Sequence, residues 1–162
     1  SASICSGLLE EELRVDEHPG AWPVSAAMSA EFASVRQTDR LDLADQIMQL
    51  GRVRHMPVLD ADGRVVGIVS HRDLLEASLS RLLALEPGPR RAFLGSVEIA
   101  DVMTRRVETI EPEATLARAA ERMLHHRIGC LPVVQRDGVM IGILTETDLL
   151  RCAYGDEAPH GT

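Results

Sequence analysis

The chain matches itself. Residues 24–77 lie over residues 99–152 without a gap, at an offset of 75. Met28 meets Met103, Leu41 meets Leu116, Ala44 meets Ala119 and Met48 meets Met123. Pro57-Val58 falls on Pro132-Val133, Asp62-Gly63 on Asp137-Gly138, and Gly67-Ile68 on Gly142-Ile143. Asp73-Leu74-Leu75 falls on Asp148-Leu149-Leu150. Coincidence does not place so many glycines, prolines and aspartates at one offset. A period of this length means one small structural unit used twice.

Each copy reads the same way. An extended piece (34–37; 108–110) precedes a helix with apolar residues at i, i+3 and i+7: Leu41, Ala44 and Met48, then Leu116, Ala119 and Met123. That spacing puts them on one face. Pro112 is expected to open the second helix, where its missing N–H costs nothing. A short apolar strand follows (56–59; 131–134), then a turn ending in Gly63 or Gly138 for its positive φ. A second strand (64–69; 139–144) leads into a last helix opening at Ser70 or Thr145. The expected fold class is α/β, in the order β-α-β-β-α, twice. The expected boundaries are an extension at 1–23, a first repeat at 24–79, a linker at 80–98, a second repeat at 99–154 and a tail at 155–162. The extension suggests a short helix after Leu8-Leu9. Leu79, Leu82, Leu83 and Leu85 prolong the first repeat's last helix up to a break at Pro87-Gly88-Pro89.

Composition narrows the function. Only Trp22, Phe32, Phe93 and Tyr154 are aromatic, so the core is aliphatic. A net charge of −8 opposes nucleic-acid binding, which needs a positive field. Arg90-Arg91 and Arg105-Arg106 lack the interleaved aromatics that stack bases. Three cysteines, none in CxxC, suggest a reducing cytoplasm. No apolar run is long enough to span a membrane. The expectation is a cytoplasmic protein with neither nucleic acid nor membrane as partner.

The strongest motif is Gly67-Ile68-Val69-Ser70-His71-Arg72-Asp73, echoed by Gly142-Ile143-Leu144-Thr145-Glu146-Thr147-Asp148. Both have the form G-h-h-[S/T]-x-x-D. One reading is a capping box, in which hydroxyl and carboxylate satisfy helix N-terminal N–H groups. The other is a ligand site. A helix N-terminus suits a phosphate, the carboxylate can accept both hydroxyls of a ribose, and the glycine lets a ligand approach the backbone. His125, His126 and Cys130 lack a fourth ligand at a convincing spacing, so no metal is expected. No Ser-His-Asp order, Walker sequence or carboxylate pair points to catalysis. Cys130, beside an apolar run, reads as a buried inert thiol.

With His55-Met56-Pro57-Val58, Cys130-Leu131-Pro132-Val133, and the openings Ala26-Ala27-Met28-Ser29 and Asp101-Val102-Met103-Thr104, the chain resembles a tandem pair of cystathionine-β-synthase-type (CBS) domains, a Bateman module. The likeness covers residues 24 to about 153. It implies two repeats around a pseudo-two-fold axis, with two clefts that take AMP, ADP, ATP or S-adenosylmethionine and no required cofactor. It implies that the motif aspartate holds a ribose and the motif hydroxyl lies near a phosphate. The implied ligand set is Arg54, His55, Ser70 and Asp73 on the first repeat, and Ile128, Gly129, Thr145, Thr147 and Asp148 on the second; Arg72, added to the first set, departs from the hydroxyl that Thr147 supplies at the matching place, and either adds charge or blocks. His71 adds to the cations of the first cleft, whereas the second has Gly129-Cys130 and Glu146 in the matching places. The first is therefore expected to be the better phosphate site.

The expected function is a regulatory module that senses an adenine nucleotide. It has no catalysis of its own, pairs as a homodimer and signals to an unknown effector protein, since no attached output domain is expected. The alternatives are an interaction scaffold without ligand and a nucleotide-processing enzyme.

Overall fold

Two antiparallel hairpins, each running into a helix, carry the repeat. The computed structural model describes residues 18–82 and 93–154. The helix expected after Leu8-Leu9, Arg90-Arg91, the Pro87-Gly88 break, Leu83, Leu85 and the tail at 155–162 lie outside the described residues. Strands β1 (His55–Leu59) and β2 (Val65–Ser70) form one sheet, and β3 (Cys130–Val134) and β4 (Met140–Thr145) the other. Helix α1 (Leu41–Gly51) precedes β1, and α2 (His71–Leu82) follows β2. Their counterparts are α3 (Leu116–His126) and α4 (Glu146–Tyr154). The leading extended pieces shrink to single parallel bridges, Val35 to Val58 and Ile110 to Val133. Both hairpin turns carry the expected left-handed glycine, Gly63 at φ 81° and Gly138 at φ 86°.

Contacts group the chain into two units that cut across the repeats. One contains residues 31–82, 93–109 and 134–141. Its core packs Leu41, Ala44 and Met48 of α1 with Met56, Val58 and Val69 of the sheet, Leu74, Leu94, Ile99 and Met103. Here Thr104 exchanges two backbone hydrogen bonds with Ile68, each at 2.9 Å. Ile68 sits opposite Pro57 in the β1–β2 register. Because Thr104 takes both backbone groups of Ile68, Pro57 can stand in a paired strand without leaving a donor or acceptor unmet.

The other unit contains residues 18–30, 110–133 and 142–154. Leu116, Ala119 and Met123 of α3 are buried, as are Val24, Ile110, Leu131, Val133 and Leu144. Ser29 exchanges hydrogen bonds with Ile143 at 2.9 and 3.0 Å. The Met-[Ser/Thr] segment that opens one repeat therefore extends the sheet of the other.

Pro112 does not open α3. It lies in the preceding turn, and its carbonyl accepts the Ser25 N–H at 3.0 Å. Thr115 is the N-cap instead, its hydroxyl accepting the Arg118 N–H at 3.2 Å. The C-terminal ends of α1 and α3 match. Arg52 (φ 51°, ψ 35°) and Arg127 (φ 54°, ψ 47°) occupy the left-handed region, at a cost of roughly 1–2 kcal/mol for a residue bearing a Cβ.

Candidate functional site

At the β2–α2 junction the capping box is closed. The Ser70 N–H and hydroxyl both donate to Asp73 Oδ2, at 2.8 and 2.9 Å. The Asp73 N–H donates to Ser70 Oγ at 3.2 Å. The second repeat repeats this with Thr145 and Asp148, at 2.8, 3.0 and 3.3 Å. Helices α2 and α4 consequently start one residue later than expected, with the hydroxyl residue as cap.

The His71 N–H donates to the Arg54 carbonyl at 2.8 Å, fixing the start of α2 against the segment before β1. This junction opens onto a cavity of about 800 Å³ lined by Arg52, Arg54, His55, Ser70, His71 and Arg72, with Met48, Gln49, Val53 and Leu75. Five of these side chains are basic or can become so, and none is a carboxylate. Arg52, Arg54 and Arg72 make no side-chain hydrogen bond or ion pair among the described residues. Of the residues singled out on the first repeat, the structure brings Arg54, His55, Ser70 and Arg72 together on one cavity. Asp73 is not among its lining residues: its Oδ2 is engaged by the cap, and no hydrogen bond among the described residues engages Oδ1. The sequence does not single out Arg52, because its place at a left-handed helix end has no motif. Its position three residues before His55 was the available signal.

The second repeat places a different charge at the matching junction. The Glu146 N–H donates to the Gly129 carbonyl at 3.0 Å. A Cβ on Gly129 would lie 3.4 Å from the Glu146 carboxyl carbon. An acid thus covers the backbone here, where His71 stands in the first repeat. Burial, and then the charge of Glu146, push the Cys130 thiol up from 9.0 to about 11. Cys130 is therefore buried and neutral, as the sequence suggested. The Ile128 N–H is spent on the Met123 carbonyl at 3.0 Å. Thr147 is exposed, one residue before the capping Asp148.

The motif glycines correct the expectation that they admit a ligand. A Cβ on Gly67 would fall 2.6 Å from Met103 Sδ and 3.1 Å from the Thr104 carbonyl oxygen. On Gly142 it would fall 2.6 Å from Met28 Sδ and 3.0 Å from the Ser29 carbonyl oxygen. The space is already filled by the methionine of the segment added to each sheet. The rings of His125 and His126 meet edge-to-face at 4.8 Å, and no cluster of metal-ligating side chains occurs among the described residues. No helix among them is long and apolar enough to cross a membrane.

The profile of the CBS domain family matches residues 24–80 and 99–155. The chain belongs to the CBS-domain family. It is 31% identical over 127 residues to a CBS domain-containing protein of Dictyostelium discoideum, covering 78% of this chain and 88% of that one. It is also 31% identical over 128 residues to a homoserine O-acetyltransferase of Methanococcoides burtonii, but there the 79% of this chain that aligns covers only 23% of the enzyme. The solved structure of CBSX2 in complex with AMP superposes with a TM-score of 0.69 at 28% identity, covering 82% of this chain and 96% of that one. Both CBS repeats and their α/β elements are thereby accounted for.

Proposed function

We propose that this CBS-domain pair is a regulatory module that binds an adenine nucleotide on its first repeat and passes the bound state to a partner protein. The observation that carries the reading is the cavity at the β2–α2 junction, with its arginines and histidines and no carboxylate. Guanidinium groups beside a helix N-terminus suit a phosphate. The complex of CBSX2 with AMP supports adenine as the base. Asp73 Oδ1 is the acceptor this reading gives to the ribose. The alignment of such a pair with a minor part of a larger acetyltransferase suits a regulatory piece, without a reaction of its own, acting in the cytoplasm.

In the same reading the second junction, with Glu146 over Gly129, takes a less anionic adenosine compound such as S-adenosylmethionine, or none. The module acts as a homodimer. Leu75 and Leu79 on α2, and Leu150 and Tyr154 at the repeat-equivalent positions of α4, are exposed, and each pair is a dimer contact of its own helix.

A thermal-shift screen against AMP, ADP, ATP, S-adenosylmethionine and NAD tests the reading. A ligand at 100 times its Kd adds about 2.7 kcal/mol, which raises the melting midpoint of a chain this size by about 5 °C or more. Silence across the adenine compounds would favour a ligand-free scaffold. Release of ADP or AMP from ATP would favour a nucleotide-processing enzyme.

A further inference from the structure

The cavity holds more positive charge than one phosphate needs. A single phosphate monoester carries about −1.5 to −2 at pH 7, and a polyphosphate chain carries more. Arg52, Arg54 and Arg72 are permanent cations, and they share the cavity with the His55 and His71 rings. Arg54, His71 and Arg72 sit where the Arg54–His71 backbone hydrogen bond joins the β1 approach to α2. Arg52 comes instead from the end of α1. Its left-handed backbone is one that glycine would adopt without strain, and Gly51 is spent one residue earlier, inside the helix.

Arg127 shows that this helix end accepts arginine in the second repeat too, so backbone alone does not assign Arg52 a role. The surroundings do. Around Arg127 the counterparts of Arg54, His55, His71 and Arg72 are Gly129, Cys130, Glu146 and Thr147, and Glu146 covers Gly129. Of the two arginines, Arg52 is the one that lines the cavity rich in arginine and histidine described above.

We propose that Arg52 is a specificity-determining residue that engages the phosphate chain beyond its first phosphate, so that the first-repeat cavity prefers nucleoside di- and triphosphates to monophosphates. This rests on the nucleotide-binding reading above and specifies what that site selects. Guanidinium binds phosphate through paired N–H donors, which lysine cannot reproduce.

Titration calorimetry of AMP, ADP and ATP into the wild-type chain, Arg52→Gly, Arg52→Lys and Arg127→Gly separates the two claims. The wild type is expected to bind ATP at least about 10-fold more tightly than AMP, and Arg52→Gly to lose about 10-fold to 100-fold in ATP affinity with AMP unchanged. Arg52→Lys recovers part of the loss. Glycine relieves the left-handed backbone, so Arg52→Gly keeps or raises the melting midpoint, by about 2 °C, and unfolding cannot mimic lost binding. Arg127→Gly has the same thermal effect with ATP affinity intact. Equal losses for AMP and ATP in Arg52→Gly, no loss for either, or a loss in Arg127→Gly matching that in Arg52→Gly would overturn the assignment of Arg52 while leaving nucleotide binding in place. A wild type that binds no adenine nucleotide would overturn both.

Discussion

Ser70 and Asp73 close a reciprocal pair: Asp73 Oδ2 accepts the Ser70 N–H at 2.8 Å and hydroxyl at 2.9 Å, and Ser70 Oγ accepts the Asp73 N–H at 3.2 Å. The cap needs no group beyond these two residues. It uses one carboxylate oxygen, so capping and ligand holding are compatible roles for the same residue.

Removing the carboxylate should cost stability in both repeats. Asp73→Ala and Asp148→Ala are each expected to lose about 0.5–2 kcal/mol, the usual worth of a capping side chain. Urea titration of each variant measures this. A loss in only one repeat would contradict the equivalence of the two junctions.

The motif glycines should resist enlargement for a packing reason. In Gly67→Ala the new methyl would meet Met103 Sδ at 2.6 Å and the Thr104 carbonyl oxygen at 3.1 Å. Overpacking of this kind costs about 1–3 kcal/mol. Adding Met103→Ala to Gly67→Ala should recover part of that loss, as a positive coupling in a double-mutant cycle. A neutral Gly67→Ala would show that the added segment is not held against the sheet.

Much of this arrangement is legible in the sequence because its signals are local. The helical spacing of Leu41, Ala44 and Met48 and of Leu116, Ala119 and Met123 put all six in the cores. Gly63 and Gly138 took the positive φ their turns require. The non-local features had no such signal. The pairing of Thr104 with Ile68 and of Ser29 with Ile143 joins residues far apart through single bridges, which impose no alternation on the sequence. The motif glycines consequently read as ligand clearance in the sequence, although methionines fill the space. Proline favours a first turn, which points Pro112 to a helix start, yet Thr115 holds the cap. Arg52 enters the cavity from a helix end whose left-handed backbone belongs to no motif.

The buried thiol gives a pH dependence with a definite sign. The folded chain holds Cys130 at about 11 against an ordinary 9.0, so the neutral thiol favours the fold. Its contribution is complete below pH 9 and is lost as pH rises through about 11. That difference corresponds to about 2–3 kcal/mol. The chain contains no lysine, so few other groups titrate in this window. Urea titrations at pH 8 and pH 11 should show a fall in the wild type that Cys130→Ala reduces by about that amount. Identical falls would place Cys130 in contact with solvent.

The proposed dimer contacts of α2 and α4 make their own demand. Leu79→Glu and Leu150→Glu put charge on exposed leucines of α2 and α4 and should leave the circular dichroism spectrum unchanged. Light scattering at micromolar concentration should report a dimer for the wild type and a monomer for the variants. A monomeric wild type would remove these helices as a dimer surface.

Titration calorimetry of ADP into the wild type, Asp73→Ala and Asp148→Ala tests the central claim most directly. A hydrogen bond to a charged group is worth roughly 1.5–3 kcal/mol, so Asp73→Ala should bind about 10-fold to 100-fold more weakly than the wild type. Asp148→Ala should bind nearly as the wild type does, because Glu146 stands beside Gly129 at its junction. Equal affinities for the wild type and Asp73→Ala, with only stability lowered, would reduce the motif to a helix cap and contradict the first-repeat nucleotide site.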